Sequence, residues 1–299
     1  MTDTTPKRSV GIVTIATGKY YPEFMPTLVS SIEQFFDVDH QTVTVYCFTD
    51  QPATIAGVVH FAVTHQAWPF STLLRYHLIE EQWQALSQHD FLLYMDADMQ
   101  VLRPIPKTIF EHPLIAVKHP GYLNAQGPFE LDRQDSTYVA PPLRKHYFQG
   151  CFWGGERHAF EQLIFSLKAQ VEADLLLGQI PIWHDESYLN AYLAQHPCFA
   201  LSAEFAWPAV TPPKDRNPYI LHLEKPHQEI RQMQGRGTAG AKVLQGLSPT
   251  EALAMYQELY LIAHQKCQRL EARLMTHHGI WTRIREWLAY YKNKPPQSN

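Results

Sequence analysis

Phe91-Leu92-Leu93-Tyr94-Met95-Asp96-Ala97-Asp98 decides how the rest of the chain is read. Five apolar residues without a break suit a strand buried on both faces, as in a sheet covered by helices on either side. Two carboxylates follow at once, where that strand must end. Upstream, Val10 to Ile15 is a similar run, closed by the turn signal Thr17-Gly18. Val43 to Phe48 and Val58 to Val63 read as further strands. Helical spacing falls between them: Phe24, Leu28, Ile32 and Phe35 share one face from Pro22 to Phe36, and Leu73 to Leu86 has a like period. Strands alternating with helices predict an α/β fold, Rossmann-like, with a mainly parallel central sheet flanked by helices. In such sheets ligands gather beyond the carboxyl ends of the strands. Ala16 to Tyr20, Thr49 to Pro52 and Asp96 to Asp98 fall there.

Residues 119–150 are rich in glycine and proline and read as a long loop. A stretch of that length inside a folded unit usually carries function. Helices are expected from Ala159 to Leu177 and from Trp183-His184-Asp185-Glu186 through Leu193. Small residues over 236–247 suggest a linker. Ser248-Pro249-Thr250-Glu251 then forms a capping box with proline at the first helical position. Leu253, Tyr256, Tyr260, Ala263, Cys267, Leu270 and Leu274 repeat as a heptad seam. The expected organisation is a main α/β unit over 1–235, a linker over 236–247 and a helical extension over 248–299.

Composition bounds the function. The 299 residues are 45% hydrophobic and 18% charged, with a formal charge of −4. That excludes a disordered chain and argues against generic nucleic-acid binding. The four cysteines, Cys47, Cys151, Cys198 and Cys267, are too far apart in sequence for a zinc ribbon or a CxxC pair. They read as reduced thiols in a cytoplasmic protein. No apolar run approaches the roughly 18 residues of a membrane span. The basic aromatic end from Trp281 to Lys294 could lie on an anionic inner-membrane face, whereas the heptad seam could pack on the main unit or self-associate.

Four segments hold residues able to do chemistry. Asp96 and Asp98, if a local turn aims both at one point, offer hard oxygen ligands for Mn²⁺ or Mg²⁺; otherwise they are a solvated acidic turn. Trp183-His184-Asp185-Glu186-Ser187 groups three ionisable side chains where a helix begins, though Asp185 could be only an N-cap and Glu186 only a first-turn acid. Arg75 sits in the apolar setting Leu73-Leu74-Arg75-Tyr76 and, if buried, needs an acidic or phosphate partner. Lys225 and Arg231 could grip a diphosphate or simply be solvated.

These segments, in unbroken order over about residues 9–235, resemble glycosyltransferase family 6, which includes the histo-blood-group A and B transferases, the α1,3-galactosyltransferase and the Forssman synthase. The resemblance is carried by IATGKYYPEFMPTLVSSIE, YCFTDQP, STLLRYHLI, YMDADM, HPG, YFQGCFWGG, WHDESYLN, LSAEFAW and EKPHQEIR. WHDES followed by LN is highly specific, while DxD alone is shared by many transferases. The resemblance implies a GT-A fold and a metal-dependent, retaining transfer of galactose or N-acetylgalactosamine from a UDP-sugar to the 3-hydroxyl of a galactose-type acceptor. By the same resemblance, Ile15, Ala16, Thr17 and Tyr20 hold the nucleoside. Asp96 and Asp98, with Ala97 between them, hold the metal and donor. Arg75 contacts the donor sugar and the acidic motif. Gln149, Gly150 and Cys151 shape the donor-sugar pocket. His184 and Asp185 also belong to the donor site. His119 and Trp183 bind the acceptor, Glu186 is the candidate nucleophile, and Lys225 and Arg231 close over the diphosphate.

Three departures from the family are visible. Many bacterial relatives carry Asn-x-Asn in place of the aspartates, but both acids are kept here, so metal dependence is expected. Pro208 stands where the animal enzymes have an acceptor-contacting aspartate. Gln149-Gly150-Cys151 matches neither the A nor the B pattern, and Cys151 would crowd a 2-acetamido group, which favours galactose. The alternatives are another retaining GT-A hexosyltransferase acting on lipopolysaccharide or glycolipid, or an inactive UDP-sugar- or glycan-binding protein.

Overall fold

The computed structural model describes residues 8–36, 41–66, 69–133, 135–177, 179–211 and 216–225. The chain divides into two compact units, Met1–Val243 and Leu244–Asn299, and every described residue lies in the first. The linker expected over 236–247, the extension over 248–299 with its seam and basic end, and Arg231 all lie outside the described residues.

In chain order the strands are β1 (Arg8–Ile15), β2 (Gln41–Thr49), β3 (Val58–Ala62), β4 (Phe91–Met95), β5 (Met99–Val101), β6 (Leu114–Lys118), β7 (Phe148–Glu156), β8 (Phe199–Leu201), β9 (Trp207–Pro208) and β10 (Ile220–His222). The helices are α1 (Tyr20–Phe35), three short segments α2 (Phe70–Leu73), α3 (Arg75–Glu81) and α4 (Trp83–Leu86), then α5 (Arg157–Leu176) and α6 (Asp185–Gln195). A seven-stranded sheet runs β3-β2-β1-β4-β7-β6-β8. Within it β7 runs antiparallel to its two neighbours, β4 and β6, and the other four pairings are parallel. The predicted mainly parallel α/β sheet is therefore present. A second sheet, β5-β10-β9, stands beside it.

All five β4 residues are buried, and they alternate between two cores. Phe91, Leu93 and Met95 pack with Leu28 and Ile32 of α1 on one face. Leu92 and Tyr94 join Tyr76, Trp153, Leu163 and Leu189 on the other. This two-sided burial is why the strand reads as a continuous apolar run rather than an alternating one.

One sequence expectation needs correction, and one strand went unread. The helix expected over Leu73–Leu86 is three segments, broken at Leu74 (ψ 10°) and Gln82 (ψ 16°). The first break turns Arg75 inward, where it is 5% exposed and donates to the Thr72 carbonyl. The stretch Gln149–Gly155 carries no strand signal, because glycine is depleted in strands, yet it belongs to the long central strand β7. There the glycines answer to crowding: a Cβ on Gly154 would lie 2.2 Å from the Leu92 carbonyl oxygen.

Asn190 ties α6 to β7. Its side chain accepts from Phe148 N (2.8 Å) and donates to Phe148 O (2.8 Å) and Glu186 O (2.9 Å). It is 2% exposed. Asn190→Ala strips two buried backbone groups of β7 of their partner, which should cost about 2–4 kcal/mol. Urea unfolding should show a lower midpoint with an unchanged slope.

Candidate active site

The acidic turn comes first. β4 ends at Met95 and β5 begins at Met99, so Asp96-Ala97-Asp98 is the tight turn between them. Ala97 is buried in the core, and Asp96 N donates to Cys151 O of β7 (2.9 Å). The turn brings the two carboxylates toward one place: oxygens of Asp96 and Asp98 and a ring nitrogen of His222 all lie within 4.8 Å of one another. Asp98 is 1% exposed. Its Oδ2 lies 2.5 Å from Lys225 Nζ and 3.3 Å from His222 Nε2, and it makes no aligned hydrogen bond. These neighbours overcome burial and hold the Asp98 carboxyl well below the usual carboxylate range, whereas burial pushes Asp96 up.

Arg75 connects this turn to the α6 motif. Its guanidinium lies 3.0 Å from Asp185 Oδ2 and 3.8 Å from Asp96 Oδ1, donates to Gly150 O (2.8 Å), and stacks 4.5 Å over the Tyr94 ring. Tyr94 Oη in turn donates to Asp96 Oδ1 (2.9 Å), and Tyr76 Oη donates to Asp185 O (2.9 Å).

Glu186 occupies the first turn of α6, and its Oε2 accepts from Gly150 N at 2.8 Å. Gly150 is thus clamped from both sides, its carbonyl by Arg75 and its N–H by Glu186. A Cβ there would lie 3.3 Å from Asp185 Oδ2, a tight contact, and 3.5 Å from Glu186 Oε2, an ordinary one, so a side chain at this position presses on Asp185. Burial raises the Glu186 carboxyl from 4.5 to about 7. His184 precedes it at φ 53° and ψ −125°, the first central position of a type II′ turn closed by Glu186 N donating to Trp183 O (3.1 Å). Glycine is the favoured residue there, so His184 holds local backbone strain.

The remaining predicted residues divide by place. Ile15 and the buried Ala16 lie at the end of β1, with Ala16 N bonded to Phe48 O. Thr17 Oγ1 is 2.9 Å from His65 Nδ1. Tyr20 reaches the acidic turn, because Lys225 Nζ lies 5.7 Å from its ring centre. Cys151 is buried in the core beneath the turn, its thiol pushed well up by burial, rather than exposed as a pocket wall. The expected crowding by Cys151 accordingly has no exposed sulfur behind it. Gln149 is half-buried, with Nε2 3.0 Å from His222 Nδ1. His119 sits among the rings of Tyr122 and Tyr147, and burial lowers its pKa to about 4, which keeps it neutral near pH 7. Trp183 is 40% exposed. Pro208 is paired in β9 beside His222.

Three residues of the site escape sequence reading. Glu130, 5% exposed, accepts from Ile182 N and Ser187 Oγ (both 2.7 Å) and so fastens the turn before α6 to the 119–150 loop. Its only signal is an acid between Phe129 and Leu131. The Tyr147 hydroxyl faces Glu186 and has no aligned hydrogen bond. His222 stands two residues before the quoted EKPHQEIR segment and shows no spacing to Asp98 in sequence; the β5–β10 pairing, His222 opposite Met99, brings it there.

Comparison with known proteins gives the family. A family profile described as "Glycosyltransferase family 6" matches residues 3–232. The chain is 30% identical over 207 residues to "O-antigen biosynthesis glycosyltransferase WbnI" of Escherichia coli, covering 67% of this chain and 88% of that protein. It is 29% identical over 214 residues to "Histo-blood group ABO system transferase 2" of Rattus norvegicus, covering 67% of this chain and 63% of that protein. A second rat protein, "Histo-blood group ABO system transferase 1", is 28% identical over 214 residues, with 61% of it covered. The chain thus spans about three fifths of the length of these rat relatives. Among the described residues no helix is long and apolar enough to cross a membrane. The chain belongs to glycosyltransferase family 6, a GT-A family, and is a hexosyltransferase-type enzyme that takes its sugar from a nucleotide donor and gives it to a carbohydrate acceptor.

Proposed function

We propose that this enzyme is a metal-dependent, retaining α1,3-transferase that moves galactose or N-acetylgalactosamine from its UDP-sugar to the 3-hydroxyl of a galactose-type acceptor. The observation that carries the reading is the meeting of the Asp96–Asp98 turn and Glu186 around Gly150, with Arg75 paired to both sides. Breaking the anomeric C–O bond leaves positive charge on the sugar and negative charge on the departing UDP. One end of this cleft offers a carboxylate and the other offers cations.

The residues fit a divalent ion. Asp98 Oδ2 is buried without an aligned hydrogen bond, beside a second carboxylate, and hard oxygen donors suit Mn²⁺ or Mg²⁺. Held by Asp96 and Asp98, such an ion supplies charge neutralisation for the diphosphate. Lys225 adds positive charge beside Asp98 and shields the diphosphate from water, a role that the family resemblance extends to Arg231. Ile15, Ala16, Thr17 and Tyr20 hold the nucleoside, and Gln149, Gly150, His184 and Asp185 surround the sugar, with Cys151 packed behind them in the core. Trp183 offers a half-open ring face to the acceptor, and the neutral His119 can hydrogen-bond an acceptor hydroxyl. Glu186 either attacks the anomeric carbon, with water-free return by the acceptor hydroxyl, or stabilises the charged sugar during front-face attack. Both routes need it ionised.

The O-antigen role in the name of the Escherichia coli relative supports a surface-glycan precursor as acceptor. The helical extension over 248–299, read from sequence alone, would add self-association or contact with an anionic membrane next to such acceptors, in a cytoplasmic enzyme.

Glu186→Gln should lower kcat by orders of magnitude while changing UDP affinity only modestly, as read by a UDP-release assay and by calorimetry. Normal turnover in this variant would defeat the assignment. Asp98→Asn should abolish turnover that depends on Mn²⁺, and NMR of the product should show an α linkage; a β linkage would reject retention.

The raised Glu186 pKa gives two pH tests. The carboxyl is protonated below about 7, so kcat/KM should fall toward tenfold per unit as the pH drops below that value. The folded state also binds this proton more tightly than the unfolded state, so ionisation lowers stability as pH rises from 4.5 through 7, by up to about 3 kcal/mol. Glu186→Gln should therefore melt several degrees above wild type at pH 8 and show little gain at pH 5.

A further inference from the structure

His222 belongs to β10, and two backbone features fix it against the acidic turn. The β5–β10 register sets it opposite Met99, and Leu223 N donates to Asp98 O at 2.8 Å. Its Nε2 points at the buried Asp98 Oδ2 from 3.3 Å and makes no aligned hydrogen bond. Its Nδ1 lies 3.0 Å from the Gln149 side-chain amide on β7. The Gln149 carbonyl oxygen, Oε1, is buried and has no partner when Nε2 faces the imidazole.

Turning the Gln149 amide by half a rotation removes that defect. Oε1 then accepts from His222 Nδ1–H, and Nε2 of the imidazole keeps its lone pair aimed at Asp98. Two acceptors, a lone pair and a carboxylate oxygen, then face each other across 3.3 Å, which is favourable only with a cation between or beside them. A histidine that gives its second ring N–H to a carbonyl while offering the first nitrogen is the usual state of a metal-bound imidazole.

We infer that His222 is a third protein ligand for the divalent ion, beside Asp96 and Asp98, and that Gln149 orients it. The inference rests on the metal-dependent reading above and deepens it. Gln149 thereby acquires a second role. Standing at the edge of the donor-sugar pocket, it also sets the tautomer of a metal ligand, so pocket and ion site share one hydrogen bond. Lys225 Nζ lies on the same oxygen, Asp98 Oδ2, at 2.5 Å and is the rival explanation, in which His222 merely joins a cationic cluster around a buried acid.

Mn²⁺ bound to the full chain without nucleotide separates the two. Pulsed electron paramagnetic resonance should show ¹⁴N coupling to the ion in wild type, lost in His222→Ala. Titration of free Mn²⁺ should show binding weakened more than about tenfold in His222→Ala and about tenfold in Gln149→Ala. The wild-type spectrum needs no variant to fold, so it decides alone: bound Mn²⁺ with no nitrogen coupling overturns the inference and leaves the two-aspartate reading standing. Unchanged affinity in a folded His222→Ala does the same. Failure of wild type to bind Mn²⁺, with or without UDP, overturns both.

Discussion

A single buried cation, Arg75, organises the candidate active site. Arg75 is 5% exposed, and burial alone would make its charge very costly. It is tolerated because each part of the guanidinium has a use: Asp185 and Asp96 offset its charge, the Gly150 carbonyl accepts from it, and the Tyr94 ring lies under it. Those four partners come from α6, the turn after β4, β7 and β4 itself. Removing the arginine would leave the buried Asp185 carboxylate without its cation and take one from the partly exposed Asp96. The cleft therefore exists in its present form only while Arg75 is charged. Its acidic neighbours push its pKa up, away from any physiological titration.

This dependence explains why the site sequences lie so far apart in the chain. α3 supplies the cation Arg75, the β4–β5 turn Asp96 and Asp98, β7 the glycine bonded by Arg75 and Glu186, and α6 the carboxylates of Asp185 and Glu186. Each alone has an ordinary explanation. Asp96 and Asp98 would be a solvated turn, and Asp185 and Glu186 the usual acids of a first helical turn. Only the antiparallel pairing of β7 with β4, which sets Asp96 N on Cys151 O, makes them one constellation.

Local chemistry was legible wherever the signal is local. The β4 run, the turn after it, the heavily apolar face of α1 and the start of α6 follow from periodicity and end signals. β7 was not legible, because its glycines answer to the Leu92 and Pro113 carbonyls of neighbouring strands, and no window of sequence contains those atoms. The break at Leu74 was hidden for a similar reason: nothing in Leu73-Leu74-Arg75 opposes a helix, but the demand of Asp96 and Asp185 for a buried cation does. Glu130 and His222 were silent because each acts on a partner at least fifty residues away. The family resemblance covered part of this gap, since order along the chain carries long-range information that spacing does not.

The site also stores free energy in a consistent direction. His184 adopts a backbone conformation that suits glycine, and Glu186 sits where burial opposes its charge. Neither serves folding: both cost stability where they stand. The compensation lies in the surrounding frame. Glu130 secures the turn that strains His184, Asn190 locks α6 to β7, and the two cores on either face of β4 carry the fold. On the proposed mechanism, a rigid frame that holds an unfavourable carboxylate in place lets that carboxylate gain when positive charge develops beside it. The gain comes from charge met in the transition state rather than in the resting enzyme.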